Sequence, residues 1–244
     1  MGCGRKIGPF DCCSVVCCDC LEAMKSLPDG CVDAVKIVLI TDPPYGVNLG
    51  NHVGALEARP GLLTRRGGYI DTPKYFDAVV VPAIKIALYL SERGMVFGVP
   101  PSMWKFPPPD CIGGMFIGGA VGRNKWGWSN LIHCLLYGSA PNLELGAKPT
   151  AIANNGIAED TGHPTTKPLR WMEWAVSLGS KEDETILDPF LGSGTTAVAA
   201  KKLGRHFLGM EISETYCRIA EERIALVEMQ PTLFEKKAEQ MVIL

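Results

Sequence analysis

No stretch of this chain approaches the roughly 20 uncharged apolar residues that a membrane-spanning helix needs, and its first residues lack the basic-then-apolar layout of a secretory signal. These absences lead us to expect a cytoplasmic protein that makes no use of a membrane. Met1-Gly2-Cys3 would suit an acyl anchor, but Lys6 stands where the myristoylation pattern wants Ser or Thr. An excess of positive charge is missing too. The formal net charge is -2 and the isoelectric point about 6.1, so any contact with nucleic acid has to be local rather than a broad neutralisation of phosphates. Cysteine is plentiful, yet its spacing is incomplete. Seven of the ten, Cys3, Cys12, Cys13, Cys17, Cys18, Cys20 and Cys31, crowd the first segment. Only Cys17-x-x-Cys20 has zinc-like form, and neither a second pair nor a nearby His at finger spacing completes it. Without a signal peptide disulfides are not expected either. The reading is therefore buried, reduced thiols and no metal.

What is present is globular. With 244 residues, 47% of them hydrophobic and 20% charged, the chain can build one domain with a full core. A single domain over 1–244 is expected, with a small insertion at about 100–160, where Pro, Gly and aromatic residues break the periodicity. Val32 to Ile40 reads as a buried strand ended by Thr41-Asp42-Pro43-Pro44. Thr72-Pro73 starts a helix that the apolar spacing carries to about Arg93, and Met95 to Val99 reads as the next strand. Leu131 to Tyr137 is a strand within the irregular segment. After it come a helix over Pro168 to Leu178, a strand at Thr185 to Leu187, a helix over Thr195 to Leu203, a strand at His206 to Met210 and a helix after Ser213. Strands alternating with helices predict an α/β, Rossmann-like fold: a mostly parallel sheet with helices on both faces.

Two constellations carry chemistry. The first, Asp188-Pro189-Phe190-Leu191-Gly192-Ser193-Gly194-Thr195-Thr196, lies between a strand and a helix. Its glycines permit a tight turn and close backbone approach, and the helix offers unpaired amides. Glu211 ends the next strand, where an acidic side chain can accept both hydroxyls of a ribose. Gly-Lys-Ser/Thr is absent, which counts against a phosphate-binding P-loop. The second constellation is Asp42-Pro43-Pro44-Tyr45-Gly46. An amino group on an aromatic base is a poor nucleophile because its lone pair is delocalised into the ring. A carboxylate and a backbone carbonyl can each accept one of its N–H bonds, and Tyr45 offers a flat face to a base taken out of the helix. Taken alone, the same residues could be a turn that merely ends a strand.

The two motifs together, with the catalytic one first, resemble the circularly permuted beta class of N6-adenine/N4-cytosine DNA methyltransferases. Asp19-Cys20-Leu21, Leu27-Pro28-Asp29-Gly30 and His163-Pro164-Thr165-Thr166-Lys167-Pro168 extend the likeness, which covers about residues 15 to 50 and 160 to 226. It implies S-adenosyl-L-methionine as cofactor and a Rossmann-like methyltransferase fold of seven-strand type. Asp188, Pro189, Phe190, Gly192, Ser193, Gly194, Thr195, Thr196 and Glu211 would hold the cofactor, Asp19 and Cys20 would lie near its adenine, and Thr165 and Lys167 would close over it. Asp42, Pro43, Pro44 and Tyr45 would form the catalytic loop. The chain departs from the pattern at Cys18, where Gly is usual, at Thr166, where Gln or Glu is commoner, and in the extra apolar residues Ile37 to Ile40.

The resemblance implies site-specific transfer of a methyl group to N6 of adenine in double-stranded DNA, on a flipped base, by direct displacement that needs no metal. N4 of cytosine and an inactive nucleoside- or DNA-binding module are the alternatives. DNA contacts are expected from Arg65, Arg66, Arg123, Lys125, Trp126 and Trp128, a mixture of cations and aromatics that would equally suit an ordinary surface with Trp in a small local core. So short a reading segment points to a short site or to help from a second subunit in a homodimer.

Overall fold

The computed structural model describes residues 3–27, 36–48, 70–118, 122–141, 147–153, 156–163 and 165–228. Arg65 and Arg66 lie outside the described residues. In chain order, β1 (Lys6–Ile7) and β2 (Phe10–Asp11) form a small hairpin, and β3 (Ser14–Cys17) leads into helix α1 (Cys20–Lys25). Then come β4 (Ile37–Thr41) and α2, built from Pro73–Tyr75, a π-helical stretch Phe76–Val80, and Val81–Tyr89. After β5 (Arg93–Gly98) and β6 (Cys111–Phe116), a hairpin of β7 (Gly122–Asn124) and β8 (Gly127–Ser129) precedes β9 (Leu131–Tyr137) and β10 (Ala151–Ala153). The last third is α3 (Leu169–Gly179), β11 (Thr185–Asp188), α4 (Thr195–Lys202), β12 (His206–Glu211) and α5 (Glu214–Glu228).

Eight strands form one sheet in the order β10-β6-β9-β5-β4-β11-β12-β3, parallel throughout except where β9 pairs with β5 and β6. Strand β4 shows why both faces are covered. All five of its residues are buried; Ile37 and Leu39 enter the core beneath α1 and α2, and Val38 and Ile40 the core beneath α3 and α4. Period-two alternation sends successive side chains to opposite faces, and a sheet covered twice needs an unbroken apolar run. Each such side chain buried contributes about 2 kcal/mol. The extra apolar residues of this strand therefore fill two cores and do not displace Asp42. Thr72 caps α2, its Oγ1 accepting from the Tyr75 amide at 3.1 Å, with Pro73 in the first turn.

The irregular segment is more integrated than its composition predicts. Strands β6, β9 and β10 join the sheet, which among the described residues has eight strands, while β7 and β8 pair with each other as a separate two-stranded hairpin. Cys111-Ile-Gly-Gly-Met-Phe116 carries too little side chain for its alternation to register in the sequence. The chain runs from β4 through α2 to β5 on one side, and from β11 through α4 to β12 on the other. The adjacent carboxyl ends of β4 and β11 thus flank the point where strand order reverses, the usual ligand crevice of such sheets. Among the described residues no helix is long and apolar enough to cross a membrane.

Candidate active site

Asp42 follows β4 directly, Asp188 is the last residue of β11, Glu211 the last of β12, and Asp19 caps α1 just beyond β3. Four parallel, neighbouring strands thereby bring four carboxylates to one edge of the sheet, and all four line a single cavity. Asp188 is almost wholly buried; its Oδ1 accepts from Thr41 Oγ1 at 2.6 Å and from the Phe190 amide at 3.0 Å. Burial pushes its carboxyl up to about 6, against hydrogen bonds from Thr196, Thr41 and Phe190 that work the other way. Glu211 accepts from the Gly192 amide (2.9 Å) and the Ser213 amide (2.8 Å), so it braces the glycine turn while facing the cavity. Burial raises its pKa as well. Asp19 accepts from the Leu21 and Glu22 amides through Oδ1, which leaves Oδ2 for a ligand.

Gly194 begins α4 with φ 83, and a Cβ there would come within 2.7 Å of Ala220 Cβ and 2.9 Å of its Cα, so both conformation and the approach of α5 require glycine. From the same face of α5, Arg223 donates to the Ser193 carbonyl, to Thr195 Oγ1 at 3.1 Å and to Glu159 at 2.7 Å. Arg223 thus fastens the turn from behind. Its spacing with Tyr216 and Ala220, four and then three residues on, is the periodic signal that could have marked it.

The second constellation closes over the same cavity. Asp42 Oδ1 accepts from the Tyr45 hydroxyl at 2.5 Å and Oδ2 from Lys167 Nζ at 2.5 Å, with the ammonium 5.1 Å from the Tyr45 ring centre. The resemblance assigns Lys167 to the cofactor; it lines the cavity, and its ammonium also pairs with Asp42 of the Asp-Pro-Pro-Tyr loop. The loop ends at Gly46, with φ 69 and a Cβ position only 2.7 Å from Phe76 Cβ, and buried Asp71 accepts the Gly46 amide at 2.6 Å. His163 lies in the cavity wall, its Nδ1 accepting from the Thr165 amide at 3.3 Å and its ring edge-on to Tyr216 at 4.5 Å. Burial pushes its pKa down to about 4. Neither Asp71, Tyr216 nor Arg223 stands out in the sequence, because each acts through a fold partner far along the chain.

Of the predicted cofactor residues, Asp19, Cys20, Thr165, Lys167, Asp188, Pro189, Phe190, Gly192, Ser193, Thr195, Thr196 and Glu211 all line the cavity, as do Asp42 and Pro44 of the loop. Gly194 sits behind it. The predicted DNA residues form a second group. Lys125 and Trp126 occupy the turn between β7 and β8, with Arg123 paired in register to Trp128. Trp126 is 98% exposed and Trp128 69%, which rules out a local core built on them.

Residues 123–222 match the N6/N4 methyltransferase family model, described as a DNA methylase. Over that stretch the chain is similar to the N6/N4 DNA methylase family. It is 48% identical over 62 residues to the type II methyltransferase M2.DpnII of Streptococcus pneumoniae, a stretch covering 25% of this chain and 23% of that one. The match thus spans under a quarter of that curated relative. Solved structures resemble it along far more of its length. A crystal structure of M1.HpyAVI with SAM superposes with a TM-score of 0.57 at 19% identity, over 86% of this chain and 98% of that one. The PvuII DNA methyltransferase, cytosine-N4-specific, gives 0.58 at 15%, over 86% and 85%. At these identities the superpositions show a shared fold, the Rossmann-like fold of DNA methyltransferases.

Proposed function

We propose that this chain is an S-adenosyl-L-methionine-dependent DNA methyltransferase acting on N6 of adenine. One observation carries the reading: Asp42 and Pro44 of the Asp-Pro-Pro-Tyr loop, with Pro43 and Tyr45 outside the lining, share one cavity at the switch point of the sheet with the glycine turn that starts at Asp188. The cavity's donor set suits the cofactor that M1.HpyAVI holds. Glu211 keeps acceptor capacity for a ribose diol, Asp19 Oδ2 and the acidic rim suit a cationic ligand, and the Gly192 turn leaves space that His163 bounds on the other side. When bound, S-adenosylmethionine supplies an electrophilic methyl group.

The chain's own residues prepare the nucleophile. Asp42 accepts one N–H of the target amine and the Pro43 carbonyl the other, pulling the nitrogen out of conjugation. Each oxygen of Asp42 already accepts one hydrogen bond and keeps a second lone pair, so Oδ1 can take the amine N–H beside the Tyr45 hydroxyl or in its place. The Tyr45 ring is the flat face for the flipped base. After transfer the nitrogen carries a surplus proton, and Asp42 Oδ1 is placed to receive it. In the families this chain resembles, Asp at the head of the loop goes mostly with adenine and Ser with cytosine, which favours adenine here.

The partner is double-stranded DNA, met by the β7–β8 hairpin with its exposed Trp126 and Trp128, in the cytoplasm and with a homodimer completing the reading surface. Nucleoside analysis of DNA from cells expressing the protein tests the reading. N6-methyladenine should accumulate with the wild type and vanish with Asp42→Ala; its absence from both, with folded protein present, would refute it.

A further inference from the structure

Far from the cavity, three thiols and an imidazole meet. His206 opens the strand that Glu211 closes, so the two ends stand roughly 16 Å apart at the rise of an extended chain. Hairpin β1–β2 folds the chain back so that Cys3 returns beside Cys12, whose amide donates to the Arg5 carbonyl at 3.0 Å. The Cys13 amide donates to the Phe207 carbonyl at 2.7 Å, which docks this corner on β12. Neighbouring residues of an extended chain point to opposite sides. Cys13, at φ 61, leaves the extended conformation and turns its thiol toward that of Cys12, a left-handed geometry that costs a non-glycine residue about 1 kcal/mol.

The resulting distances are those of a coordination shell. Cys12 Sγ and Cys13 Sγ lie 3.8 Å apart, and Cys13 Sγ lies 3.4 Å from His206 Nδ1. All four ligand atoms, with that of Cys3, fall within 4.8 Å of one another. A tetrahedral zinc ion with bonds of about 2.3 Å to sulfur and about 2.0 Å to nitrogen has edges of roughly 3.8 Å between sulfurs and roughly 3.5 Å from sulfur to nitrogen. The other ring nitrogen, His206 Nε2, faces the exposed Asp183 carboxylate at 3.8 Å, too far for a hydrogen bond.

We propose that Cys3, Cys12, Cys13 and His206 form a closed structural zinc site that staples the amino-terminal hairpin to the start of β12. Three soft thiolates and one imidazole select zinc, and four protein ligands leave no open position for chemistry. Loading the ion releases the thiol protons to solvent. The staple anchors the edge strand β3, whose far end delivers Cys18 and Asp19 to the cavity. The sequence expectation of no metal is revised for a definite reason. It searched local spacing, and His206 lies 193 residues beyond Cys13.

The test uses the full chain, purified without chelator and desalted under reducing conditions. Metal analysis should find one zinc per chain, and exchange with Co2+ should give the intense visible absorption of tetrahedral, thiolate-rich cobalt; this spectrum needs no variant. Cys12→Ser and His206→Ala should lose zinc to a chromogenic chelator more than about tenfold more readily. Cys17→Ser and Cys111→Ser should keep it. Wild-type protein free of zinc and giving no such cobalt spectrum would overturn the proposal. So would a disulfide among Cys3, Cys12 and Cys13 in the freshly isolated protein, or zinc that depends on Cys17 and not on Cys12.

Discussion

Lys167 Nζ lies 2.5 Å from Asp42 Oδ2 across 125 residues of sequence, both side chains mostly shielded from water. This ion pair ties the segment ahead of α3 to the Asp-Pro-Pro-Tyr loop and engages one carboxylate oxygen, while the Tyr45 hydroxyl donates to the other. On the proposed function Lys167 is a positioning residue for Asp42. Lys167→Met should lower the transfer rate by about a hundredfold, the scale of a misplaced reacting group, while cofactor affinity falls by less than about threefold. Single-turnover kinetics and calorimetry separate the two. A loss of cofactor affinity matching that of Glu211→Ala would return Lys167 to the cofactor site.

Glu211 and Asp42 should divide their labour. Glu211 holds the glycine turn through the Gly192 amide, whereas Asp42 touches only Tyr45 and Lys167 among the contacts above. Glu211→Ala should weaken cofactor binding, by about tenfold or more for a half-buried, hydrogen-bonded carboxylate. Asp42→Ala should bind cofactor as the wild type does and transfer nothing. Equal loss of cofactor affinity in the two variants, measured by calorimetry, would contradict the assignment.

The sequence made this edge of the sheet legible because its signals are local. A strand, a proline stop, a glycine turn and an acidic strand end each declare themselves within a few residues, and the strand order then converges them. Asp71, Arg223 and the zinc ligand His206 were illegible for the opposite reason: each works on residues 25 to 193 positions away. Strand β6 was hidden by its own glycines, and so the sheet's antiparallel end read as an insertion.

Two groups in the cavity wall, His163 and Asp188, should shape the pH dependence of stability in opposite senses. His163 falls from 6.5 to about 4 on folding, so between those values the unfolded chain binds a proton that the folded chain does not, and stability rises with pH. Asp188 rises from 3.8 to about 6, so over that window the folded chain holds the extra proton and stability falls as pH rises. Each effect amounts to about 3 kcal/mol, and in the wild type they largely cancel between pH 4 and 6. Relative to wild type, urea unfolding should show His163→Gln losing stability from pH 4.5 to 6 and Asp188→Asn gaining it. Parallel profiles in all three proteins would contradict the opposition.

The exposed hairpin should read DNA and nothing else. Lys125 and Trp126 sit at its tip, and Trp126 and Trp128 are largely open to solvent. The triple variant Arg123→Ala, Lys125→Ala, Trp126→Ala should lose roughly tenfold or more in DNA affinity, the worth of one stacked base and its phosphate contacts. Its cofactor affinity should be unchanged. Fluorescence anisotropy with duplex DNA at fixed salt reads the first quantity and calorimetry the second; unaltered DNA binding and site choice would remove the hairpin from the interface.

The most direct test of the account is transfer itself. Purified protein, S-adenosylmethionine labelled in its methyl group and unmodified duplex DNA are incubated, and the DNA is digested to nucleosides. The convergence of Asp42 with Asp188 and Glu211 in one cavity predicts label in N6-methyladenine, abolished by Asp42→Ala. Label only in N4-methylcytosine would contradict the choice of base, and no label in DNA from protein that binds the cofactor would contradict the account as a whole.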